Sequence, residues 1–197
     1  MSARPVVVAA FAAAILFGCH AAHDGAGANA SATATPVAAP LDTAWQRSPG
    51  RLLAAGEAAP DFEGIAHTGM RVRLSAFTDA PVVVLFYPGD REPASVAEAR
   101  EFRDAWLRFG DRIGMVFGVS PDDRTLHKDF ATAEGLPFLL VSDQNGAIAR
   151  AYGVPVENGS SKRTTFIVGK DMKVARVFPD VVAQGHAADV LAALSGK

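Results

Sequence analysis

The run Val82-Val83-Val84-Leu85-Phe86 constrains this chain more than any other stretch. Five consecutive apolar residues without alternation predict a buried strand, which must be covered by other elements. The chain then turns through Tyr87-Pro88-Gly89-Asp90 and reaches apolar residues at Ala99, Phe102, Trp106 and Phe109. Their spacing predicts a helix with one apolar face, while Arg100, Glu101, Arg103, Asp104 and Arg108 cover the rest. A buried strand, a short loop and a helix N-terminus aim backbone N–H groups at whatever lies before the helix.

Other elements follow in order. Ala59-Pro60-Asp61-Phe62 opens a pair of short strands, with a turn at His67-Thr68-Gly69 and alternation over Met70–Leu74. Residues 113–119 read as a strand. Asp122 and Asp123 begin a helix that runs to about Glu134 and stops at Gly135. Phe138–Val141 is another buried strand, and 143–153 form a turn and a short helix. A hairpin joins 164–168 to 174–178 across Gly169-Lys170-Asp171, and His186–Leu194 closes the chain as a helix. Strands alternating with helices, then a hairpin and a last helix, describe a three-layer α/β/α sandwich with an N-terminal β-hairpin.

Composition bounds the partners. The 197 residues carry a formal charge of -2 and show no basic stripe, so nothing resembles a nucleic-acid footprint. The one cysteine, Cys19, excludes an internal disulfide, a CxxC redox motif and a cysteine zinc site.

Residues 1–18 hold one charge, Arg4, before an apolar segment from Val6 to Phe17. As a helix that segment would rise only about 18 Å, too short to span a bilayer, and it reads as a secretory signal. Its end, Leu16-Phe17-Gly18-Cys19, resembles the lipobox of bacterial lipoproteins, in which the chain is cleaved before an acylated cysteine. A plain signal peptide is the other reading. The resemblance implies a lipid-anchored protein of the cell envelope facing the periplasm. His20, where an aspartate would favour inner-membrane retention, leans toward the outer membrane. Residues 19–55 comprise the lipidated cysteine, an Ala/Gly/Ser/Thr/Pro tether and a lead-in in which Trp45 and Leu52-Leu53 pack on the domain. The tether would reach on the order of 30 Å. His20, His23 and Asp24 read as solvated linker rather than a metal site. The domain proper is expected over 56–197.

The loop and helix at 86–104 resemble the peroxiredoxins of the bacterioferritin-comigratory or Q type, in the alkyl hydroperoxide reductase and thiol-specific antioxidant superfamily. That family writes F-Y-P-x-D-x-T-P-x-C-T-x-E-A and then F-R-D. Phe86-Tyr87-Pro88, Asp90, Pro93, Glu98-Ala99 and Phe102-Arg103-Asp104 match in register. Further matches are Ala59-Pro60-Asp61-Phe62, Gly118-Val119-Ser120, His127-Lys128-Asp129-Phe130, Gly135-Leu136-Pro137-Phe138, Ser142-Asp143, Ala149–Val154 and Arg163-x-Thr165-Phe166-Ile167. The resemblance covers about residues 56–195 and implies a thioredoxin-like fold of the peroxiredoxin type.

It also implies thiol peroxidation, without a cofactor. A cysteine in the first turn of the helix attacks a peroxide oxygen and becomes a sulfenic acid. A threonine, a proline and an arginine hold the peroxide. On this chain the proline is Pro88 and the arginine Arg163, but the threonine position is Glu92 and the peroxidatic position is Ser95. The position of the resolving cysteine is Arg100. A serine hydroxyl is un-ionised at neutral pH without a base and has no comparable oxidation ladder. The expectation is therefore an envelope protein that has lost peroxidase activity and serves as a binding or interaction module. A small anion or peroxide-like ligand at Ser95 and Arg163 is its candidate partner, with the protein partner unknown. The alternatives are a retained antioxidant function through a partner and, remotely, a hydrolase using Ser95.

Two local questions stay open in the sequence. Ser95-Val96-Ala97-Glu98 matches a capping box, which would make Ser95 the helix N-cap. Arg163 either faces the helix N-terminus and binds an anion, or pairs with Glu92 or Glu98 and closes the site.

Overall fold

The computed structural model describes residues 48–196. The expectations for the signal, Cys19, the tether with His20, His23 and Asp24, and Trp45 all lie outside these residues. Leu53 is described and does pack on the domain: it is buried, and its N–H donates to the Tyr152 carbonyl at 3.1 Å.

Strands β1 (Glu63–Ile65) and β2 (Arg71–Arg73) form the expected hairpin, with Glu63 opposite Arg73. The central strand β3 (Val82–Phe86) is buried along its whole length. After it come α1 (Pro93–Asp104), α2 (Trp106–Phe109), β4 (Met115–Ser120), α3 (Arg124–Glu134), β5 (Leu139–Ser142) and α4 (Ala147–Ala151). The chain then forms β6 (Val156–Glu157), β7 (Ser160–Ser161), β8 (Thr164–Val168), β9 (Val174–Phe178) and α5 (His186–Leu194). Among the described residues the main sheet has the order β5-β4-β3-β8-β9. β3 runs parallel to β4 and antiparallel to β8.

The unbroken apolar run of β3 is explained by two cores. Val82, Val84 and Phe86 point into one, with Phe62, Phe117, Phe166, Ile148 and Tyr152. Val83 and Leu85 point into the other, with Ala99, Phe102, Ala131, Val190 and Leu191 of α1, α3 and α5. Each such Val, Leu or Phe stabilises the fold by about 1.5–3 kcal/mol relative to exposure. This is the three-layer, thioredoxin-like arrangement that the sequence predicts.

Boundaries differ in three places. The expected single helix over 99–109 is divided at Ala105, and Trp106 is only half-buried against Phe138. β4 begins at Met115, two residues after Ile113. Gly114 donates to the Pro81 carbonyl, and a Cβ on it would lie 2.0 Å from the Phe77 oxygen. That close backbone crossing precedes the ladder. The small β6–β7 hairpin was not expected; it turns on Asn158 and Gly159, both at positive φ. The helix stop at Gly135 holds, with φ of 61° and ψ of 43° in the left-handed region. Among the described residues no helix is long and apolar enough to cross a membrane.

Candidate functional site

Sheet register assembles the site. Phe86 pairs with Val119 on one side and with Thr164 on the other. Tyr87 and Pro88, Ser120 and Arg163 therefore meet at one end of β3. The ends of strands beside a change of direction are a frequent place for ligands in α/β sheets. Ser161 anchors the loop there, donating from its hydroxyl to the Tyr87 carbonyl at 2.9 Å. Pro88 is half-buried in the loop.

α1 starts at Pro93, with Glu92 as its N-cap residue. Proline favours the first helical position because its fixed φ suits the helix and its missing N–H would be unpaired there. The expected capping box is therefore displaced: Ser95 lies in the third helical position and makes no cap. Its hydroxyl instead donates to Glu92 Oε2 at 2.9 Å and accepts from Arg163 Nη2 at 3.1 Å. Ser95 is only 3% exposed.

Arg163 does not face an open pocket. Nη2 donates to Glu92 Oε2 at 2.6 Å, and Nη1 donates to Glu98 Oε2. The guanidinium is buried between two carboxylates, one partly exposed (Glu92, side chain 42%) and one enclosed (Glu98). Both partners considered for Arg163 are engaged at once. Burial pushes the Glu98 carboxyl up to about 7, opposed by Arg163 and reinforced by Glu101 and Glu92. Among the described residues Glu98 Oε1 is buried without a hydrogen-bond partner. Beside it lies a cavity of about 20 Å³ lined by Ser95 and Glu98 together with Leu85, Tyr87, Phe130 and Phe138.

The chemistry open to this cluster follows from its charges. A buried arginine shared by two carboxylates offers little positive potential to an incoming anion. The Ser95 hydroxyl is held by a carboxylate and a guanidinium, and among the described residues no imidazole bonds to it. Arg100 stands apart, exposed on α1 and bidentate to Glu134 of α3 at 2.7 and 2.9 Å.

A second buried network borders the same loop and is not apparent from the sequence. Asp90 accepts from the Tyr87 hydroxyl at 2.7 Å and is bonded to His127 Nδ1 at 2.8 Å. Its N–H donates to Asp122 Oδ2 at 2.7 Å, which also accepts from the Ser120 hydroxyl at 2.9 Å. His127 is fully buried and belongs to the core, where it ties α3 to the loop. Burial, foremost, drives the Tyr87 hydroxyl well above its ordinary range. Donor atoms of Asp90, Asp122 and His127 lie within 4.8 Å of one another. Both Asp90 oxygens and Asp122 Oδ2 are already hydrogen-bonded, so a cation would have to break that network to bind. Asp90 and His127 each fall in a matched motif, but only the parallel register of β3 and β4 brings them together. His186 is likewise a core residue, bonded to the Thr165 hydroxyl at 2.8 Å. Burial lowers its pKa to about 4.

Comparison with known proteins supplies the family context. Residues 55–177 match the AhpC/TSA family. A chloroplastic peroxiredoxin Q of Oryza sativa is 35% identical over 154 residues, covering 75% of this chain and 71% of that protein. Peroxiredoxin Bcp of Bacillus subtilis is 32% identical over 146 residues, covering 71% of this chain and 93% of that protein. Among solved structures, the peroxidoxin BcpB of Mycobacterium tuberculosis superposes with a TM-score of 0.69 at 33% identity, over 73% of this chain and 97% of that one.

Proposed function

The chain belongs to the AhpC/TSA family, as a peroxiredoxin of the bacterioferritin-comigratory or Q type, and from that premise we propose that it has lost thiol peroxidase activity. It acts instead as a binding or interaction module, anchored through an acylated Cys19 in the bacterial envelope and facing the periplasm. One observation carries this reading. The residue at the family's peroxidatic position is Ser95, buried and bonded to Glu92 and Arg163, and Cys19 is the only cysteine in the chain. Without a thiolate there is no atom to take the peroxide oxygen and pass through a sulfenic acid. Glu92 adds a carboxylate where a thiolate or an anionic substrate would be repelled.

The test is hydrogen peroxide consumption by the full chain, with thioredoxin or a small dithiol as reductant. No turnover above background is expected. Robust turnover would show that the family's antioxidant activity is retained by another route and would overturn the reading. Restoring the site sharpens the result. Ser95→Cys alone leaves the new thiol beside two carboxylates and stays weak. Ser95→Cys with Glu92→Thr removes one of them and frees part of Arg163, and turnover rises at least tenfold, about 1.4 kcal/mol in the barrier. Hydrolysis of an activated ester at the same rate by wild type and Ser95→Ala would dismiss the hydrolase alternative.

A further inference from the structure

Outside the Ser95 cluster, a cleft of about 460 Å³ opens between the turn of the first hairpin and α3. Among the described residues it is lined by His67, Thr68, Arg124, Thr125, Lys128 and Thr132, and by no carboxylate. From this arrangement we infer a binding site for a phosphate-type oxyanion, carried either by a small molecule or by a phospholipid headgroup.

The charges in the cleft are uncommitted. Arg124 and Lys128 are four residues apart and share a face of α3. Among the described residues neither makes an ion pair, whereas Arg51, Arg100, Arg103 and Lys162 all do. Two acids just before the helix are already hydrogen-bonded. Asp123 caps α3 by accepting from the Leu126 N–H at 2.9 Å, and Asp122 is held in the Ser120 and Asp90 network. Arg124 and Thr125 occupy the first turn of α3, whose positive end the Asp123 carboxylate already partly offsets, so the cationic side chains and not the dipole carry the attraction.

The uncharged groups complete a set of donors. His67 Nδ1 accepts from the Leu140 backbone N–H at 3.1 Å, so the neutral ring carries its proton on Nε2 and is a donor there. Burial lowers the His67 pKa, and His127 pushes the same way. Thr68 Oγ1 accepts from the Met70 N–H at 3.4 Å, which leaves its own hydrogen free. The Thr132 hydroxyl is spent on the Lys128 carbonyl at 2.7 Å. A guanidinium fork, an ammonium, an imidazole N–H and two hydroxyls suit a tetrahedral dianion better than a single carboxylate. Ile65 and Met70, exposed by 50% and 46% on the same hairpin, give a headgroup ligand an apolar neighbour that inorganic phosphate would not use.

The experiment uses the full chain with Cys19→Ala, so that no acyl anchor contributes. Calorimetric titration with inorganic phosphate is run beside flotation with phosphatidylcholine vesicles, with and without phosphatidate. Saturable phosphate binding supports a small-molecule source. Binding that requires phosphatidate and falls in Ile65→Ser/Met70→Ser supports a headgroup. In either case Arg124→Gln/Lys128→Gln weakens binding by at least about tenfold, while Arg108→Gln, exposed on α2, changes it by less than about twofold. Absence of saturable binding to both probes overturns the inference. So does an equal loss in Arg108→Gln, which would mark a general effect of surface charge.

Discussion

Burial raises the Glu98 carboxyl from its ordinary 4.5 to about 7, so the folded protein holds that proton more tightly than the unfolded chain does. The stability from this group is complete below about 4.5 and is lost as pH rises through about 7. The whole effect is on the order of 3 kcal/mol. His186, held down at about 4, works in the opposite direction over the same range, so the Glu98 contribution is read as a difference: between pH 5 and pH 8 in urea, wild type should lose stability relative to Glu98→Gln, which cannot ionise. Asp90→Ala should act differently, because it leaves His127 and the Tyr87 hydroxyl without their buried partner. A loss on the order of 3 kcal/mol is expected at every pH where the protein folds, read from the urea midpoint. Ser95 marks the limit of reading residues from sequence. Its identity was plain, and with it the absence of a thiol at the expected position. Its bonding was not, because two helix-start signals compete, one placing the N-cap at Glu92 and the other at Ser95, and Pro93 prevails over the S-x-x-E pattern. The choice among partners for Arg163 depended on tertiary approach, which no local pattern encodes.

Elements were legible where hydrophobic periodicity and stop signals agreed. β3, α3 with its Gly135 stop, and the β8–β9 hairpin all lie within a residue or two of expectation. The break at Ala105 is not marked by a proline or glycine, so the apolar spacing runs straight through it. The β6–β7 hairpin had a signal in Asn158-Gly159, but Val156-Glu157 and Ser160-Ser161 lack the alternation that makes such a signal persuasive. The late start of β4 follows from backbone contact at Gly114 and yields a prediction. Gly114→Ala places a methyl against the Phe77 carbonyl, a backbone atom that cannot rotate away. A loss of about 3 kcal/mol is expected from chemical denaturation.

For the whole molecule, the family places a chemically versatile frame around a serine, and the membrane proposal rests on residues before the domain. Replacing Cys19→Ala should abolish the mobility change caused by acylation and weaken attachment to the membrane fraction. Persistent attachment with unchanged mobility would refute the lipobox reading. The frame has a kinetic consequence as well. Sixty-five positions separate Glu98 from Arg163, and they meet only after β8 has paired with β3. Contacts of such sequence separation are slow to form. A thiol placed at position 95 in a Cys19→Ala background would be the sole thiol in the chain, enclosed beneath that late contact. Its alkylation rate would serve as a clock for opening of the sheet.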